Sequence, residues 1–108
     1  MGIGDRVAAI RAALPAGVSL VAATKGRTIA EIREAIGAGV TILGENYVRE
    51  ATSKHAAIGS CVSWHMIGHL QRNKVREVFT FADMIETVDS LRLATEIGRV
   101  AVAKNMVM

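Results

Sequence analysis

Apolar positions along this chain alternate between helical spacing and short continuous runs. Val7, Ile10 and Leu14 fall on one face of a first helix, which Asp5 is placed to cap and Pro15 and Gly17 stop. Residues 19–24 form a compact apolar run of strand length. Thr28 and Glu31 stand at capping-box spacing ahead of Ile29, Ile32 and Ile36, and Gly37 and Gly39 end that second helix. The alternation continues with a strand over 41–44 and a helix over 47–58, with Val48, Ala51, His55 and Ile58 on one stripe. A strand over 63–67 follows, then a helix over 70–79 that turns Leu70, Val75 and Val78 or Phe79 inward. The last pair is a strand over 82–88 and a helix capped by Asp89 or Ser90, with Leu91, Ala94, Ile97 and Ala101 predicted inward. Residues 106–108 look like the start of a fifth strand.

Strands and helices that alternate through short connections predict an α/β fold with a parallel sheet. An open doubly wound sheet and part of a (β/α)8 barrel of the TIM type both satisfy that order. In either closure, function collects at the C-terminal ends of the strands. Lys25, Glu45, Asn46, residues 68–71 and residues 87–89 stand at those ends.

Composition narrows the class. At 108 residues, one domain or part of one is expected over 1–108. Apolar residues make up 51% and aromatic residues 4%, so the core must be built from Ala, Val, Ile and Leu, as in helix-covered parallel sheets. The net charge of +3 comes without a basic block or an aromatic platform, so nucleic acid is not an expected partner. The mild excess suits phosphorylated small molecules. The single cysteine, Cys61, allows no internal disulfide and fits a reducing compartment. No secretory signal, myristoylation pattern or apolar run of membrane-spanning length is visible, so a cytoplasmic location without membrane contact is expected.

Three residues are candidates for chemistry. Lys25 leaves the first strand. A packed stem and a desolvated amine there would favour the neutral form, which attacks aldehydes to give the Schiff base that holds pyridoxal phosphate. The alternative is a solvated lysine at a strand–loop boundary. Asn46 follows Gly44 and Glu45 at a strand–helix turn, where it can cap the helix or offer its amide to a ligand. His65 lies within a strand. If it faces a barrel interior, its neighbours Trp64 and Met66 face the covering helices; a packing role competes with a ligand role. Metal-ligand spacing, a glycine-rich phosphate loop and a nucleophile elbow are not seen.

Residues 21–25 (Val-Ala-Ala-Thr-Lys), 44–50 (Gly-Glu-Asn-Tyr-Val-Arg-Glu), 64–68 (Trp-His-Met-Ile-Gly), 70–74 (Leu-Gln-Arg-Asn-Lys) and 87–90 (Thr-Val-Asp-Ser) occur in one order and spacing. In this the chain resembles the pyridoxal phosphate homeostasis proteins, relatives of the alanine racemase barrel domain. The resemblance implies that pyridoxal 5'-phosphate is held as a Schiff base on Lys25, with Asn46 and His65 lining or supporting the pocket. It implies a carrier that buffers the cofactor and delivers it to apo-enzymes, with no turnover of its own. A racemase-like enzyme is the competing reading and needs a second acid–base group across the ring; a half-barrel that no longer binds the cofactor is another.

Members of that family are about twice as long, and their phosphate-binding loops belong to the later strands. The resemblance therefore covers only the N-terminal half of the barrel. Half a barrel leaves sheet edges unpaired and an apolar face open, at about 25 cal/mol per Å² of exposed apolar area. Self-association through those open edges is the expected response.

Overall fold

The computed structural model describes residues 2–108. Four parallel strands in the order β1-β2-β3-β4 form one sheet: β1 (Ala22–Ala23), β2 (Ile42–Glu45), β3 (Ser63–Met66) and β4 (Met84–Ile85). Helices α2 (Ile29–Gly37) and α3 (Val48–Ile58) join the first three strands. A 3-10 turn (Arg72–Lys74) leading into α4 (Val75–Val78) joins the last two. Helix α1 (Ile3–Ala13) precedes the sheet and α5 (Leu91–Ala103) follows it. No helix among the described residues is long and apolar enough to cross a membrane.

Register and pleat give the sheet two unlike faces. Ala22, Leu43 and Trp64 are register partners, as are Glu45, Met66 and Ile85. Leu43, Trp64, Glu45 and Met66 are almost fully buried under the helices, with Val48, Ala51, Val75, Val78, Phe79 and Phe81. The intervening row, Ala23, Gly44, His65 and Met84, belongs to the other face, where Met84 is half exposed. That alternation is the one expected of a barrel wall, with helices outside and a lumen side that the described residues leave uncovered.

The locally encoded features match the sequence. Thr28 caps α2 through the Glu31 amide (3.1 Å), and the Glu31 carboxylate accepts from the Thr28 amide (2.9 Å). Ser90 caps α5 through Leu93 (3.1 Å), which decides between Asp89 and Ser90. Several boundaries shift. Helix α1 starts at Ile3 from an N-cap at Gly2, so Asp5 is a first-turn acid whose carboxylate accepts from the Gly2 amide (3.3 Å). The outer strands β1 and β4 shrink to two residues each, because each pairs on one side only.

The expected helix over 70–79 is broken. Leu70 lies outside it yet is buried together with Val75. Positions five apart stand about 140° round an unbroken α-helix, so a continuous one would turn one of them outward. Helix α5 buries Leu93 and Val100, with Ile97 packed against the same core, and leaves Leu91 exposed. The inward stripe is therefore rotated from the one predicted. Residues 106–108 form no strand.

Candidate functional site

The ladder hydrogen bonds continue past the strand ends and carry the functional segments. Thr24 donates its amide to the Gly44 carbonyl (3.2 Å), Ile67 to Glu45 (2.9 Å) and Glu86 to Met66 (3.0 Å). By alternation, the next positions on the uncovered face are Lys25, Asn46, Ile67 and Glu86. Three of these four are polar or charged, at the end of the sheet where ligands are expected.

His65 stands one row below. Its Nδ1 lies 2.8 Å from Glu86 Oε2, and its side chain is 12% exposed. Trp64 and Met66, its neighbours, are buried against the helices, so the condition set for an inward histidine is met. Asn46 is partly buried and lines a cavity of about 450 Å³ with Tyr47, Arg49, His69, Gln71 and Lys74. It does not cap α3: Tyr47 is the N-cap. Lys25 and His65 lie outside that cavity. Lys25 is exposed, so the packed stem and desolvated amine expected of it are not present here.

On the opposite face, directly behind Lys25, the structure buries a polar cluster that local sequence did not announce. Thr24 is 3% exposed, Glu45 0% and Lys54 5%. The Thr24 hydroxyl donates to Glu45 Oε1 (2.5 Å). Lys54 Nζ donates to the Thr24 carbonyl (2.7 Å) and hydroxyl (3.1 Å), lies 3.8 Å from Glu45 Oε2, and pairs closely with Glu50. Glu45 Oε2 has no hydrogen-bond donor of its own among the described residues. Glu50 and Lys54 are four apart on a helix, the usual spacing of a solvated surface pair. The signal that Lys54 turns inward is its place beside the Val48 and Ala51 stripe. Glu86 is the other residue missed; it lies on the face of His65, two positions beyond the register partner of His65, Met84.

Burial pushes the Glu45 carboxyl above its ordinary value of 4.5, against the Thr24 hydroxyl and the Lys54 charge, which pull it down. The hydrogen bond from Lys54 holds Glu50 below the same ordinary value. These have opposite consequences. The stabilising share from Glu45 is complete below the unfolded carboxylate range and is lost as pH rises through its folded pKa; that from Glu50 is lost as pH falls through its own. Glu45→Gln keeps an acceptor for Thr24 and removes the titration. The stability of the variant relative to the parent should therefore grow as pH rises from about 4.5 towards neutrality. Urea midpoints across that range measure it, and a difference flat with pH would show that Glu45 does not titrate there.

No protein-family model matches the chain. Individual proteins do. The pyridoxal phosphate homeostasis protein of Synechocystis is 41% identical over 94 residues, covering 85% of this chain and 43% of the relative. PipY of Synechococcus elongatus PCC7942, in its structure with PLP bound, superposes at a TM-score of 0.91 with 40% identity, over 95% of this chain and 50% of PipY. These matches support the pyridoxal phosphate homeostasis protein family over part of its members' length. The chain spans about half the length of the relatives it matches. Its parallel sheet matches half of the TIM barrel of PipY, which favours a barrel wall over an open doubly wound sheet. PipY without PLP superposes on this chain at a TM-score of 0.91 as well, with 40% identity over 96% of this chain and 49% of PipY.

Proposed function

We propose that the chain binds pyridoxal 5'-phosphate in the cytoplasm as part of a cofactor-homeostasis protein, with Lys25 holding the aldehyde as a Schiff base and no turnover. The observation that carries this reading is the position of Lys25, a primary amine at the C-terminal end of β1 on the uncovered face, in one row with Asn46. The donor set fits the group: an amine for the carbonyl, an amide, and an imidazole steadied by Glu86 for the polar substituents. Bound there, the cofactor supplies an electrophilic carbon; the chain's own residues hold and orient it. Delivery to apo-enzymes belongs to the same proposal. PipY is described with PLP bound and the relatives are named for its homeostasis, which supports the assignment.

The test uses the chain's four lysines as internal controls. Lys54 is buried, whereas Lys25, Lys104 and Lys74, which pairs with Glu77, are exposed. After incubation with pyridoxal phosphate and borohydride reduction, peptide mapping should place the label on Lys25 ahead of Lys74 and Lys104. Lys25→Ala should abolish the site-specific label. Equal labelling of the exposed lysines would remove the assignment.

We also propose that two copies associate through the uncovered face and its open edges, with Met84 exposed on the edge strand β4. Sedimentation should give a dimer; a monomer at all concentrations would exclude it.

A further inference from the structure

Lys25 is exposed, yet the backbone on both sides of it is gripped from the covered face. On one side, the Thr24 carbonyl accepts from Lys54 Nζ (2.7 Å) and from the Arg27 amide (2.9 Å). On the other, the Gly26 amide donates to Glu50 Oε1 (3.3 Å), and Gly26 has φ +74°, a conformation other residues adopt only under strain. Lys54 and Glu50 are one helical turn apart on α3 and pair with each other. A single ion pair from the neighbouring helix therefore holds the residues immediately before and after Lys25. Glu45 completes it by accepting from the Thr24 hydroxyl.

We propose that the Lys54–Glu50 pair on α3 is a positioning clamp for Lys25. It fixes the turn from which the amine departs and leaves the side chain free to reach a carbonyl. The inference rests on the assignment of Lys25 to pyridoxal phosphate for its purpose, though not for its geometry. Replacing a buried ion pair by well-packed apolar residues is often neutral or stabilising, so stability alone does not account for this one. Neither residue touches the ligand in this scheme; both act through backbone groups.

The test compares the parent chain with Lys54→Met, Lys54→Arg and Glu50→Ala. Glu50 is partly exposed on α3, alanine favours helix, and Lys54 keeps Glu45 and both Thr24 oxygens as partners, so Glu50→Ala is expected to fold even if Lys54→Met does not. Two readouts are taken. The first is amide exchange over residues 24–27, referenced to Ser63–Met66 in β3. The second is the ratio of reduced pyridoxal phosphate label on Lys25 to that on Lys104.

In Glu50→Ala and Lys54→Met, exchange at Gly26 and Arg27 should rise by roughly tenfold, as for loss of a charge-assisted hydrogen bond, while β3 is unchanged. The label ratio should fall with it, and Lys54→Arg should recover part of both. Unchanged exchange at 24–27 in Glu50→Ala, or an equal rise in β3, overturns the clamp. If the parent shows no preference for Lys25, the cofactor assignment falls instead, and the exchange data still decide the clamp.

Discussion

Trp64→Ala is expected to destabilise the chain by about 3–5 kcal/mol, the range for removing a large buried aromatic. A small domain has a total margin of about 5–15 kcal/mol, so the variant should be largely unfolded under mild denaturation. The reason lies in where the ring sits. Trp64 is 1% exposed, on the inner strand β3, which pairs with both β2 and β4. Its ring meets His55 of α3 edge-on at 5.2 Å and 71°. Its Nε1 donates to the Gly59 carbonyl (2.8 Å), fastening the exit of α3 to the sheet. Trp64→Phe keeps most of the packing and drops the donor, and should cost nearer 1 kcal/mol for that bond. Urea unfolding followed by far-ultraviolet circular dichroism is the suitable measurement, since the variants lack the chain's single tryptophan. An alanine variant within 1 kcal/mol of the parent would mean that the core is not organised around this ring.

Gly68→Ala should have the second largest effect. Gly68 lies two residues beyond β3, where three strand ends meet. Its amide donates to the Glu45 carbonyl (3.3 Å), and its carbonyl accepts from the Thr87 hydroxyl (2.5 Å). A Cβ added there would lie 2.7 Å from Asn46 Cα and 2.8 Å from its carbonyl carbon, and closer still to its oxygen. All three are backbone atoms, so nothing can rotate aside and the ends of β2 and β3 must part. The cost falls at the upper end of the roughly 1–3 kcal/mol for overpacking, and Asn46 moves with it. Gly44→Ala is the control. Its Cβ would meet the side chains of Ile67 (2.6 Å) and Val21 (2.9 Å), which can shift, so it should cost less. Equal midpoints for the two variants in thermal melts would contradict this account.

What the sequence made legible follows from the range of the interaction. The Thr28–Glu31 box, the Ser90 cap and the alternation of Trp64, His65 and Met66 are decided within a few residues, and they stand as expected. The lengths of β1 and β4 depend on how many neighbours a strand has, which no local window contains. The stripe of α5 depends on what it packs against: Leu91, Ala94, Ile97 and Ala101 fit a helical period as well as Leu93, Ile97 and Val100 do. The site divides in the same way. Lys25, Asn46 and His65 are candidates from motif residues at strand ends, and Glu86 becomes one only from the register of β4 against β3. Lys54 was hidden because a Glu–Lys pair four apart on a helix usually faces water, and only the approach of the β1–α2 turn makes it interior.

The pleat keeps two kinds of work on opposite sides of one sheet. Lys25 and Glu86 lie on the face opposite Leu43, Trp64 and Met66, whose burial holds the sheet to its helices. Substitution at those two positions therefore alters the open face without unfolding the scaffold, and that face is free to drift over evolutionary time.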